Sequence, residues 1–300
     1  MKNNLDMNYS DLKKHCEIHS LLSRIVIDDF LMNYGAEKEK LNPVILAALK
    51  KYKHVVAEFE LEHINRWNAQ FIVHHVFKKN GAIRKILNHS EIKRLPPDQY
   101  ALLEHQSRTP WRFAFCYIVE NPEEGVFKMM DTMTYEEFIL VSPGIQEMLK
   151  ETQPLMWFLL IGYNGKCWQS FGLNIPFKGY TVDDIFFFAT ELNPRIGDEE
   201  TLMEEVERNP FPFFMLLCNA DMPTVVSRGH ETAFFEGEHD VSAFSPDKLK
   251  EFFDTAWSHD VYRLTSKTHG EFPHLAIAYL NERDHTILTT AMTEFGYVTL

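Results

Sequence analysis

The chain is short of the residues that mark several protein classes. It has four cysteines among 300 residues, at positions 16, 116, 167 and 218. They are widely scattered with no C-x-x-C pair, so neither a disulfide framework nor a zinc knuckle is encoded. No apolar run approaches the ~18 residues of a membrane span, because the longest candidate, residues 154–161, ends at Gly162. The first residues, Met1-Lys2-Asn3-Asn4-Leu5-Asp6, lack the apolar core of a secretory signal. There is no G-x-G-x-x-G, no G-x-x-x-x-G-K-[ST], no G-x-S-x-G and no EF-hand loop, so nucleotide, serine-hydrolase and calcium chemistry gain no support. The expectation is a soluble, cytoplasmic protein that meets no membrane.

What is present is ordinary for a globular chain, 45% hydrophobic and 24% charged, which excludes disordered and fibrous classes. The net charge of −13 is unevenly spread. Residues 1–108 hold 17 basic and 13 acidic side chains, whereas residues 109–300 hold 13 and 30. The acidic part repels polyanions, so nucleic acid is an unlikely partner. Basic residues at Lys78, Lys79, Arg84, Lys85, Lys93 and Arg94 crowd one segment and read as a docking patch for an acidic protein surface.

The N-terminal third carries helical periodicity. Leu12, His15, Ile18, His19, Leu22, Ile25 and Val26 form a 3.6-residue stripe, with Ser10-Asp11 as the cap and Gly35 as the stop. Further helices are predicted after Pro43, over residues 55–77 and after Pro96-Pro97. From Trp111 the period becomes two, as Phe113 and Phe115 alternate with Ala114 and Cys116. Asn164-Gly165 predicts a two-residue type I′ hairpin pairing Ile161 with Trp168 and Gly162 with Cys167. Both faces of that hairpin are apolar, so it belongs inside a doubly covered sheet, with Phe158 and Trp168 deeply buried on opposite faces. Acidic helices follow at Asp183-Asp184 and Asp198-Glu199, a helix at Ser245-Pro246, and a final strand pair around a turn at residues 281–285. Strands and helices alternate irregularly, which predicts an α+β fold.

The division expected is a mildly basic helical region, residues 1–95, and an acidic α+β region, residues 96–300. The second region reads as an internal duplication of about 100 residues, 98–195 and 198–300. Leu102, Glu104, Arg108 and Pro110 match Leu202, Glu204, Arg208 and Pro210. Cys116 and Cys218, and Ser142-Pro143 and Ser245-Pro246, follow at similar offsets. Coincidence is the competing explanation.

Two constellations could carry chemistry. Gly165-Lys166-Cys167-Trp168 resembles the nucleophile string of papain-like proteases and transglutaminases, and histidines lie downstream at His230, His239, His259, His269 and His274. The resemblance would imply Cys167 as nucleophile. It covers only those four residues, and the family places its cysteine at the start of a long helix, where Gly172 and Pro176 stand here. Cys167 therefore reads as a packing residue of the sheet. A metal site could draw on His15 and His19, four residues apart on one helix face, or on Glu60 and His63 in Glu-x-x-His spacing. No second Glu-x-x-His occurs in the helical third, so neutral, packed histidines are the preferred account. No cofactor is expected. The function expected is a non-enzymatic intracellular binding protein for a protein partner or small ligand. The alternative is a hydrolase or transferase using a cysteine nucleophile or a histidine/carboxylate metal site.

Overall fold

A computed structural model describes residues 8–51, 56, 61–177, 181–182, 185–186, 189–190, 193–215, 235–240, 246–258, 260–268, 276–283, 285–291, 296 and 298–300. The fold is mixed α+β with a helical N-terminal region. The chain divides into two compact units, residues 1–48 with 61–177, and residues 49–60 with 178–300. Most of the helices before residue 96 share a unit with the strands up to Phe177.

Helices α1 (Tyr9–Ser23), α2 (Met32–Lys38), α3 (Leu41–Lys51, of which residues 41–48 belong to the first unit), α4 (Leu61–Phe77), α5 (Ile83–Ile86) and α6 (Pro97–Arg108) precede five strands of the first unit. A π-helical stretch, Arg24–Leu31, joins α1 to α2. Asn8, rather than Ser10, caps α1, its Oδ1 accepting from the Ser10 and Asp11 amides at 3.1 and 3.3 Å. Gly35 does not stop the helix but lies buried inside α2. A Cβ there would sit 3.1 Å from Val76 of α4, so the glycine permits close helix approach.

Strands β1 (Arg112–Glu123), β2 (Val126–Asp131), β3 (Glu137–Val141), β4 (Met156–Tyr163) and β5 (Trp168–Phe177) close into a barrel of order β1-β2-β3-β5-β4. The run β4-β1-β2-β3 is a Greek key, and β5 closes the ring by pairing parallel to β3. Helix α7 (Pro143–Met148) links β3 to β4, N-capped by Ser142. Period-two alternation sorts β1 by size. Ala114 and Cys116 join Phe127, Met129, Leu140, Trp157, Leu159 and Ile161 in the barrel core, onto which Ile145, Met148 and Leu149 pack. Phe113 and Phe115 face outward, where they stack with Phe158 at 5.1 and 4.6 Å. His74 of α4 covers Phe113 at 4.5 Å, and α4 also contacts β5. Seven of the eight residues of β4 are buried, so both its faces are covered.

The hairpin register differs from the sequence expectation by two residues. Tyr163 pairs with Trp168 and Gly162 with Gln169, leaving a four-residue loop, Asn164 to Cys167. Asn164 Oδ1 accepts from the Lys166 and Cys167 amides, each at 3.0 Å, while Gly165 takes φ +96°. The side-chain acceptor stabilises a wider turn than Asn-Gly alone implies. Because the shift is even, no side chain changes face. Phe158 is buried, but Trp168 is only half-buried beneath the Arg112 guanidinium, 5.3 Å from its ring.

In the second unit, Asp198 caps α8 (Glu199–Arg208) through a capping box with Thr201. Helix α9 (Phe211–Met215) follows. Strands β6 (Phe235–Asp240), β7 (Phe253–Ser258), β8 (Val261–Ser266), β9 (Ala276–Asn281) and β10 (Thr286–Ala291) form an antiparallel sheet of order β6-β10-β9-β8-β7, with α10 (Pro246–Phe252) preceding β7. Leu249, Leu264, Ala278 and Leu280 build its core. The internal duplication is not shown. One half contains a closed barrel with a parallel pair, the other an open antiparallel sheet of different strand order. Cys218 and Ser245, two of the proposed counterparts, lie outside the described residues.

Candidate functional site

The buried residues of α1 are Leu12, Cys16, His19 and Ser23. This face is rotated from the stripe expected, since Ile18 and Ile25 are 56% and 42% exposed. The physical reason is the surface that α1 meets. Part of it is apolar, where Leu12 and Cys16 pack with Val126, Val141 and Cys167. The rest is the β4–β5 loop, whose backbone carbonyls need donors, and polar side chains satisfy them. His15 Nε2 donates to the Asn164 carbonyl at 3.1 Å, and His105 Nε2 of α6 to the Tyr163 carbonyl at 3.2 Å.

A second chain of bonds sets the state of His19. The Trp111 indole Nε1, which can only donate, gives its proton to Gln106 Oε1 at 2.6 Å. That fixes the amide, whose Nε2 donates to the Tyr163 carbonyl at 3.3 Å and to His19 Nε2 at 3.2 Å. His19 therefore accepts at Nε2 and carries its proton on Nδ1, towards Ser23. Burial, reinforced by His15 and His105, lowers its pKa to about 4. His15 and His19 are thus aimed at different partners. Glu60 lies outside the described residues, and His63 is exposed on α4. Among the described residues no group of three or more histidine, cysteine or acidic side chains could hold a metal ion.

At the loop's tip two thiols meet. Cys16 Sγ lies 3.3 Å from Cys167 Sγ, and Asn164 Nδ2 donates to Cys16 Sγ at 3.2 Å and to Gln169 Oε1 at 2.8 Å. Gln169 Nε2 in turn donates to the Cys16 carbonyl at 3.2 Å and Ser20 Oγ at 3.0 Å. The proton is unevenly shared. The Cys167 thiol, the Asn164 amide and the Lys166 charge stabilise a Cys16 thiolate, lowering its pKa against the opposing effect of burial. Cys167 is pushed up, first by its hydrogen bond to Cys16 and then by burial. Of the two thiols, Cys16 is the one whose negative charge the surroundings favour. Sequence reasoning passed over it, although its place between Leu12 and His19 on one helical face was a usable signal. Of the histidines downstream of Cys167, His230, His259, His269 and His274 lie outside the described residues, and His239 is placed only as backbone of β6.

Beside the thiols runs a groove of about 630 Å³ between α1, the β1–β2 turn and α7. Cys16, Ser20, Leu21 and Arg24 line it from the helix side, Glu124, Gly125, Val141 and Gln169 from the barrel, and Pro143, Gln146 and Glu147 from α7. The Gly125 amide donates to Gln146 Oε1 at 2.9 Å, and Lys13 holds Glu123 at 2.9 Å, which ties the groove's rim together. Its size falls within the range of ligand sites in proteins. Ile18, Leu21 and Ile25, spaced three and four apart, extend an exposed apolar strip along the helix. Family models, curated proteins and solved structures offer no match to the chain.

Proposed function

We propose that the chain is a non-enzymatic binding protein whose groove between α1 and the barrel takes a segment of a protein partner. The observation that carries this reading is that Leu21 belongs both to the groove's helical wall and to the exposed strip Ile18, Leu21 and Ile25. An apolar strip beside a preformed cleft is how amphipathic segments are gripped. Glu17, Glu124 and Glu147 outnumber Lys13 and Arg24 along the lining. The segment that suits it carries apolar anchors next to basic residues. Among the described residues no helix is long and apolar enough to cross a membrane.

The test is titration of the full chain with an amphipathic leucine/lysine model peptide, followed by calorimetry and by amide chemical shifts. Saturable binding that perturbs α1 and α7, and that falls at least about tenfold in Leu21→Asp, supports the reading. Leu21 is 62% exposed, so that variant should fold normally. Binding that ignores Leu21→Asp, or no binding, counts against it.

A further inference from the structure

We propose that Cys16 and Cys167 are a peroxide-oxidisable pair, with Cys16 on the groove wall as the reacting thiol and Cys167 behind it as the resolving one. Three observations converge. The sulfurs are 3.3 Å apart, in contact and within about 1.3 Å of the ~2.05 Å of a formed disulfide. Cys16 lines the groove and Cys167 does not, so a small oxidant arriving from solvent meets Cys16 first. Cys16 and Cys167 are each only 2% exposed, so the groove lining is what separates them, and burial disfavours reagents bulkier than a peroxide. The partners 151 residues apart come from different elements, α1 and the β4–β5 loop, so oxidation would tie the helix to the barrel.

The chemistry balances as two steps. Cys16 releases its proton to water, and the thiolate attacks one oxygen of hydrogen peroxide. The S–O bond forms, the O–O bond breaks, and the departing hydroxide takes the Cys167 proton to become water. The Cys167 thiolate then attacks the Cys16 sulfenic sulfur. The S–S bond forms, the S–O bond breaks, and the second hydroxide combines with the proton first released. Two thiols lose two electrons and two protons, and one peroxide becomes two waters. The hydrogen bonds at the pair favour this order, because Asn164 and Cys167 both stabilise negative charge on Cys16. Cys116 is an internal control. It is fully buried in the barrel core, where desolvation raises its pKa. The proposal uses only the groove's opening and stands whether or not a partner binds there.

The experiment oxidises the folded full chain with hydrogen peroxide, removes the peroxide with catalase, unfolds the chain in urea containing N-ethylmaleimide to block remaining thiols, and maps the cysteines by peptide mass spectrometry. The expected product is an intramolecular Cys16–Cys167 disulfide, formed at least about tenfold faster than any modification of Cys116. Cys167→Ser should leave Cys16 as a sulfenic acid that dimedone traps once the oxidised chain is unfolded in its presence, whereas Cys16→Ser should leave Cys167 reduced. A chain unfolded in urea should lose the selectivity. Oxidation of Cys116 or Cys218 at the same rate, a disulfide through Cys218, or Cys167 oxidised in Cys16→Ser would each overturn the assignment. The wild-type map decides the question even if a serine variant fails to fold.

Discussion

Gly162→Ala should be among the most damaging single-methyl additions in the first unit. Gly162 lies in β4 opposite Gln169, and a Cβ built there falls 2.6 Å from Trp111 Nε1, 2.8 Å from Cε2 and 2.9 Å from Cδ1. All three are atoms of one rigid five-membered ring. Relief requires the indole or the strand to move by several tenths of an ångström, and neither is free to do so. The ring is 1% exposed and stacked between Phe77 and Phe171, with centroids at 4.6 and 3.8 Å. Its Nε1 is committed to the buried Gln106. Overpacking costs about 1–3 kcal/mol, and displacing the bond to Gln106 adds about 1–2 kcal/mol, so the variant should lose ~2–5 kcal/mol. The assay is urea unfolding followed by near-ultraviolet circular dichroism, fitted with separate transitions because the chain has two compact units. Trp111→Phe removes Nε1, the nearest atom in conflict. The double variant should therefore be more stable than the two single losses combined predict, with a coupling of about 1–3 kcal/mol. A Gly162→Ala protein within ~0.5 kcal/mol of wild type, or a cycle without coupling, would refute the close approach of strand and indole.

The pH dependence of stability should carry a signature of His19. Its pKa falls from 6.5 to about 4 on folding, so below pH 6.5 the unfolded chain binds the extra proton and stability drops as pH falls towards 4. The part due to His19 is about 3 kcal/mol, fully present above pH 6.5, and His19→Asn should flatten the curve in that window; equal slopes in both proteins would contradict the neutral, accepting imidazole. Phe158→Ala should cost ~3–5 kcal/mol. Trp168→Ala should cost only ~1–2 kcal/mol, because that ring is half-buried and its main charged partner is Arg112. Equal losses in urea unfolding would contradict their different burial.

Local patterns in the sequence reported local structure well. Alternation from Trp111 onward placed β1, the apolar run before Gly162 placed β4, and Asp198 marked the start of α8, whose capping box it completes with Thr201. The errors arose where a side chain or a distant element intervened. The hairpin register slipped by two because Asn164 uses its side-chain oxygen to hold a wider loop. Gly35 read as a helix stop because close approach to Val76 leaves no local mark. The duplication rested on matched strings that say nothing of strand order, and the two sheets are ordered differently. Apolar size misled at α1, where Ile18 faces out and Cys16 faces in.

That inversion on α1 also bears on what the site is suited to do. A buried helix face made of Cys16, His19 and Ser23 is tolerable only if its polar groups are paired, and here the pairing is mutual. Trp111 orients Gln106, Gln106 fixes the tautomer of His19, and His15 and His105 are spent on the carbonyls that precede and form the β4–β5 loop. An imidazole that donates to a backbone carbonyl through Nε2 helps hold the helix in place and keeps Nδ1 as its one acceptor. The network therefore acts as a clamp between α1 and the loop, and the groove beside it opens at the clamp's own thiols. A partner seated against Leu21 and an oxidant arriving at Cys16 would act on the same helix from the same side. Binding and thiol oxidation should accordingly interfere: a saturating peptide should slow formation of the Cys16–Cys167 disulfide by shielding the approach to Cys16.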